Sequence, residues 1–211
     1  MSWRAAGLIA AAGSSARMGT CKALLPYAGA TTFVERIAQV FLAAGLDPVI
    51  VTVPPDDDGL RVEQALAHLP VVCATNELPE DGLSGSVVTA LRHAAEPDAL
   101  VLTPVDCPFL DVELVRSLLL LLRTAPASAP EIDGARGHPV AFSRATFELL
   151  LTCANRGGPR AVLDALGADV AMVPWSDRNA LEDVDTPEDY QRLFGLSVPP
   201  PAPPSATRRR G

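Results

Sequence analysis

Aromatic side chains are scarce, 5% of 211 residues, while 48% of the chain is apolar. The core must therefore be built from Ala, Val and Leu, as in an ordinary water-soluble domain. No apolar stretch approaches the roughly 20 residues of a membrane span; Leu118 to Leu122 is a short run between Arg116 and Arg123. The apolar N-terminal stretch runs straight into a Gly/Ser-rich segment with Arg17 and Lys22, without the form of a secretory signal, so a cytoplasmic location is expected. Cys21, Cys73, Cys107 and Cys153 form no Cys-x-x-Cys pair. That argues against a zinc site or redox dithiol and leaves reduced, mostly buried thiols as the expectation. Excess positive charge is lacking too: 17 basic against 25 acidic residues give −8. Neither nucleic acid nor a membrane surface is then an expected partner, and a polyanionic ligand must be met locally.

Lysine is the rarest charge. Sixteen arginines accompany a single lysine, Lys22, and Arg4, Arg17 and Lys22 precede the first acid, Glu35. In an acidic chain this is a basic island.

The apolar run Gly7 to Ala12 reads as a buried strand that enters a loop at Gly13. Thr32 and Glu35 have capping-box spacing ahead of a helix with an apolar stripe of Phe33, Ile37, Val40, Phe41 and Ala44, closed by Gly45. Further strands are predicted at Pro48–Val53, Val71–Ala74, Ala99–Val105, Val140–Phe142 and Val170–Val173. Helices are predicted at Leu60–Leu69, Ser84–Ala95, Val112–Arg123, Arg144–Leu151, Arg160–Leu166 and Pro187–Phe194; Ala125 to Pro130 reads as a loop. Continuous apolar strands alternating with helices predict a three-layer, Rossmann-like α/β fold around a mostly parallel sheet. One domain is expected over residues 1–197, followed by a disordered Pro/Arg-rich tail, 198–211.

The segment Gly13-Ser14-Ser15-Ala16-Arg17-Met18-Gly19-Thr20-Cys21-Lys22 combines glycines, hydroxyls, a guanidinium and the only ammonium, a composition suited to phosphate. It is neither a Walker A loop nor a dinucleotide fingerprint. Ala10 to Gly19 followed by Lys22-Ala23-Leu24-Leu25-Pro26 resembles the signature of the MobA-like nucleotidyltransferases. The likeness extends to about Phe194 through Gly82-Leu83-Ser84-Gly85-Ser86, Asp106-Cys107-Pro108, Gly137-His138-Pro139-Val140 and Leu181 to Tyr190. Within that family it is nearest the molybdenum cofactor cytidylyltransferase branch.

The resemblance implies a nucleotidyltransferase fold, with Ala10, Ala11, Ala12, Gly13, Ser15, Lys22, Asn76, Ser84 and Ser86 binding nucleotide. Ala12-Gly13 accompanies CTP in the family, where Gly-Gly accompanies GTP. It also implies Lys22 and Arg17 on the β- and γ-phosphates, and Gly137, His138 and Pro139 toward a phosphorylated pterin-type acceptor. A molybdoenzyme or its chaperone is the implied docking partner. Asp106 ends an otherwise uncharged strand, which in a parallel sheet puts it at the ligand-binding edge. The resemblance makes Asp106 a Mg²⁺ ligand together with Asp185, or with Asp183, two residues away on the same extended segment.

Capping is the alternative for either of those aspartates and for one of the two serines. Asp111 is the expected cap of the Val112 helix, and Glu188 and Asp189 suit a helix N-terminus. The family's Gly-Asp-x-Gly-Ala-Arg segment is met here by Asn155-Arg156-Gly157-Gly158-Pro159-Arg160, which leaves the acceptor open. Guanylyl transfer to the same cofactor and an oxidoreductase activity, as in relatives called nicotine blue oxidoreductase, are the alternative functions.

Overall fold

The computed structural model describes residues 3–13, 15–77, 81–153 and 156–201. Ser14, Asn155 and most of the predicted tail, 202–211, lie outside these. Ten strands and seven helices follow one another along the described chain: β1 (Ala5–Ala10), β2 (Pro26–Ala28), β3 (Thr31–Thr32), α1 (Phe33–Ala44), β4 (Val49–Val53), α2 (Asp57–Leu66), β5 (Val72–Thr75), α3 (Gly82–His93), β6 (Ala99–Pro104), α4 (Val112–Leu121), β7 (Ala127–Ile132), β8 (Ala135–Arg136), β9 (Val140–Ser143), α5 (Phe147–Thr152), α6 (Gly158–Leu166), β10 (Val170–Pro174) and α7 (Pro187–Phe194). The main sheet runs β10-β7-β9-β6-β1-β4-β5, with β8 beside β7; β2 and β3 form a separate hairpin. β1 pairs in parallel with both β4 and β6, whereas β9 runs antiparallel to its neighbours β6 and β7.

Alternation along β1 shows why the sheet is covered twice. Ala5 and Ile9 join one apolar cluster, with Phe33, Ile37 and Phe41 of α1 and Leu114 and Leu118 of α4; Ala6 and Leu8 join the other, with Val87 of α3, Leu150 of α5 and Val162 of α6. Successive strand residues face opposite sides, so a strand that must be apolar on both cannot alternate with polar residues. Gly7 allows α1 to close on β1, because a Cβ there would lie 2.6 Å from Cδ2 of Phe41. Gly7→Ala is therefore expected to cost about 1–3 kcal/mol through overpacking, read as a lower midpoint in urea denaturation.

The expected cap signals are present. Thr32 and Glu35 form the capping box of α1, Gly45 closes it at φ +90°, Asp111 caps α4, and Thr186 with Asp189 forms a second box on α7. The expected loop at Ala125–Pro130 is instead strand β7, a correction with a tertiary cause. Ala127, Ala129 and Ser128 are fully buried between β9 and β10, and the Ser128 hydroxyl donates to the Leu118 carbonyl. Small residues of poor strand propensity become strand where neighbours on both sides supply the ladder.

Candidate active site

β1 and β6 lie side by side, with Ala10 opposite Pro104, so the chain leaving each arrives at the same edge of the sheet. After β1 the backbone turns through residues 15–19, where the Ser15 carbonyl accepts from the amides of Met18 and Gly19. The Ser15 hydroxyl accepts from the Lys22 amide, tying the loop to a short 3-10 turn over Lys22–Leu24. After β6 comes Asp106, whose carbonyl accepts from the Val184 amide and so fastens the segment carrying Asp183 and Asp185 to the same edge. Three distant stretches meet there.

The Lys22 ammonium is the centre of the meeting. It donates to Oδ2 of Asp106 at 2.9 Å and to Oδ1 of Asp185, while Arg17 pairs with Oδ2 of Asp185 at 2.9 Å. The Lys22 side chain is 11% exposed and that of Arg17 is 69% exposed, so one cation is held in the wall and the other is offered to solvent. Arg4, the third member of the expected island, sits at the opposite end of β1, where its amide donates to Asp98.

Burial opposes charge on Lys22, but its bonds to Asp185 and Asp106 outweigh it and raise its pKa above 10.5. The Lys22 hydrogen bond, against some burial and aided by Arg17, lowers that of Asp185 below 3.8. Asp185 therefore contributes stability that is complete above its unfolded pKa and lost as pH falls through its lower folded value; the Lys22 contribution is complete below 10.5 and lost as pH rises through its higher folded value. The stability difference between wild type and Asp185→Asn, from urea denaturation, should shrink between about pH 5 and about pH 2.

A cavity of about 310 Å³ opens beside this group, lined by Ala10, Ala12, Gly13, Ser15, Arg17, Lys22, Ser86, Asp106 and Asp185 among others. Ala11 lines a second hollow across the loop, near Asp56 and Asp58. Asn76 is buried behind Ser86, whose hydroxyl oxygen accepts from Thr52 at 2.9 Å and from the Asn76 amide at 3.5 Å. Neither serine caps α3, since both lie inside the helix and Asp81 holds the cap position without a side-chain bond. Ser84 faces Gly158, which has φ +59° and carries no Cβ to collide with the serine oxygen. Gly158→Ala should therefore cost about 1–3 kcal/mol, measurable by thermal unfolding.

Neither aspartate of the 183–185 pair caps α7, which Thr186 does. Asp183 accepts from the Cys107 thiol at 3.0 Å, and burial with the two neighbouring carboxylates pushes that thiol well above its usual 9.0. Cys107 is the free, buried thiol that the sequence leads one to expect, and only its bond to Asp183 goes beyond that expectation. Of the four cysteines Cys21 and Cys107 are buried, and Cys73 and Cys153 are half-buried. Gly137 and Pro139 flank a partly buried His138 whose shielded Nδ1 has no hydrogen-bond partner among the described residues. Burial lowers the His138 pKa, opposed by Asp183 and Asp106. None of these three residues lines the cavity. His93 is accounted for locally, with Nδ1 2.8 Å from the Thr89 carbonyl.

No cluster of three His, Cys, Asp or Glu able to hold a metal occurs among the described residues. Asp106 and Asp185 converge on the Lys22 ammonium, but both also border the cavity, and Mg²⁺ is commonly held by one or two carboxylates, with phosphate oxygens and water completing its shell.

A sheet edge carrying a small-residue loop, one inward ammonium and two convergent carboxylates, in this α/β order, suits a polyphosphate ligand and fits the nucleotidyltransferase class to which the family match below assigns the chain. A family model described as the MobA-like NTP transferase domain matches residues 7–170, and the chain belongs to that family. The molybdenum cofactor guanylyltransferase of Cereibacter sphaeroides (strain ATCC 17029 / ATH 2.4.9) is 34% identical over 195 residues, covering 90% of this chain and 95% of that protein. Nicotine blue oxidoreductase of Paenarthrobacter nicotinovorans is 29% identical, with 89% and 95% covered. Rv0371c of Mycobacterium tuberculosis H37Rv shares the fold at a TM-score of 0.80 and 26% identity, over 93% of this chain and all of that one; its manganese complex gives 0.72. The expected likeness to the cytidylyl branch finds no support in the first of these relatives, a guanylyltransferase. No helix among the described residues is long and apolar enough to cross a membrane.

Proposed function

We propose that this protein transfers a nucleoside monophosphate from a nucleoside triphosphate to the terminal phosphate of a molybdenum-cofactor-type pterin, releasing pyrophosphate. The observation that carries the reading is the Lys22 ammonium between Asp106 and Asp185 on the cavity wall. A phosphate nucleophile is already ionised at neutral pH, so the reaction needs alignment and charge neutralisation more than a base. Lys22 and Arg17 supply positive charge for the β- and γ-phosphates and the departing pyrophosphate. Asp106 and Asp185 would hold Mg²⁺, which when bound neutralises triphosphate charge; the manganese complex of Rv0371c supports a divalent ion. Ser86, on the cavity wall, is assigned to the nucleoside, and His138 with its flanking Gly137 and Pro139 to the acceptor.

Two observations favour different bases. The name of the Cereibacter relative supports GTP, and the Ala12-Gly13 pair supports CTP. A thermal-shift comparison of GTP, CTP, ATP and UTP with Mg²⁺ separates them: at about 100 times its Kd the cognate nucleotide stabilises by about 2.7 kcal/mol, raising Tm by about 5–10 °C. Pyrophosphate release on adding the pterin acceptor then tests the reaction. NAD(P)H oxidation without pyrophosphate release would instead support the activity named for the Paenarthrobacter relative, and no shift with any triphosphate would overturn the proposal.

A further inference from the structure

Both tyrosines and three of the six phenylalanines of this aromatic-poor chain lie in one cluster. Neighbouring rings of Tyr27, Phe33, Phe109, Tyr190 and Phe194 have centroids 5.1 to 6.4 Å apart across α7, α1, the β2–β3 hairpin and the segment between β6 and α4. Tyr190 is fully buried, and its hydroxyl donates to the Pro26 carbonyl at 2.8 Å. These two residues stand a short way along the chain from the charged centre.

Pro26 follows Lys22 by four residues, through the 3-10 turn and a Leu25 amide that donates to the Lys22 carbonyl. Tyr190 follows Asp185 by five, through Pro187 and the capping box of Thr186 and Asp189. Both arms are stiff and short, so the bond at their far ends restrains the ends that carry the ammonium and the carboxylate. The Val184–Asp106 backbone bond fixes Asp185 relative to Asp106. It does nothing for Lys22.

We infer that Tyr190 is a positioning residue, whose hydroxyl on the Pro26 carbonyl sets where the Lys22 ammonium stands relative to Asp185. The inference deepens the proposed function in its consequence for turnover, but its geometric content holds whatever the reaction. A misplacement of about 1 Å at a reacting centre can cost about 10²-fold in rate, so a single hydroxyl far from substrate can matter.

Tyr190→Phe keeps the ring in the cluster and removes the donor. Because Lys22 is the only lysine, protein labelled with ¹⁵N on the lysine Nζ has one side-chain ammonium signal from the chain itself. The intact enzyme should show that signal protected from solvent exchange by its two carboxylates. In Tyr190→Phe it should shift and lose at least about half its protection, while kcat falls about tenfold or more and KM for the nucleotide changes less than about threefold. A control, Val162→Ala in the opposite core, should lower Tm by a comparable few degrees and leave the ammonium signal and kcat unchanged. An unchanged ammonium signal in Tyr190→Phe, or the same change in Val162→Ala, would overturn the inference. A displaced signal in a protein that turns over no triphosphate would uphold the positioning and reject the proposed function instead.

Discussion

Lys22→Ala is expected to lower pyrophosphate-releasing turnover by about 10²–10³-fold, the usual cost of removing one preorganised charge from a developing anion. The reason is location. The ammonium is held in the wall by Asp106 and Asp185, so its entropy of placement is spent before substrate arrives, and it borders the cavity that admits the triphosphate. The other cation lining the cavity, Arg17, is mostly exposed, and among the described residues its ion pair is with Asp185. It cannot take over. Folding should suffer less: the two carboxylates keep 25% and 29% exposure, so losing their shared counter-ion costs about 1–2 kcal/mol, below the 3–5 of a fully buried pair. Lys22→Arg restores charge but not a compact ammonium, so rescue should stay within about tenfold of alanine. Steady-state kinetics beside a denaturation curve checks both halves; wild-type turnover in Lys22→Ala would remove Lys22 from the mechanism, and wild-type turnover in Lys22→Arg would show that charge suffices without a compact ammonium.

Asp106→Asn should lower turnover by about 10²-fold or more and raise the Mg²⁺ concentration for half-maximal activity by at least about tenfold. The substitution is nearly isosteric, and the carboxamide oxygen can still accept from Lys22. The backbone carbonyl that receives the Val184 amide is untouched, so the segment bearing Asp185 stays in place. What disappears is a negative oxygen for a hard cation. A Mg²⁺ titration of initial rates measures this, and an unshifted midpoint with full activity would mean that the divalent ion is bound elsewhere.

Much of this arrangement was legible before folding was considered. The run ending in Gly13, the solitary lysine nine residues later and the uncharged strand ending in Asp106 pointed to one sheet edge, because parallel strands deliver their C-terminal ends to the same side. Capping boxes at Thr32 and Thr186 were readable because they are contacts between near neighbours in sequence. The misread stretch was β7, whose Ala, Ser and Pro residues carry no local preference for strand and become one only between β9 and β10. The base was read only through the resemblance, as CTP from Ala12-Gly13, and the guanylyltransferase name of the Cereibacter relative gives that reading no support; base selectivity depends on polar atoms from several segments, which no short stretch encodes. Thr52, Asn76 and Ser86 meet only in the folded chain.

The sequence alone determined the alternating α/β order, the phosphate-suited loop and the candidate carboxylates, because apolar runs, caps and a lone ammonium are properties of short stretches. The tertiary structure decided which of them share a site. It chose Asp185 over Asp183 for Lys22, sent Asp183 to Cys107, separated Arg4 from the island and hung α7 on Tyr190. Each of those choices is a contact between residues at least 76 positions apart, and no local pattern encodes a distance across the fold.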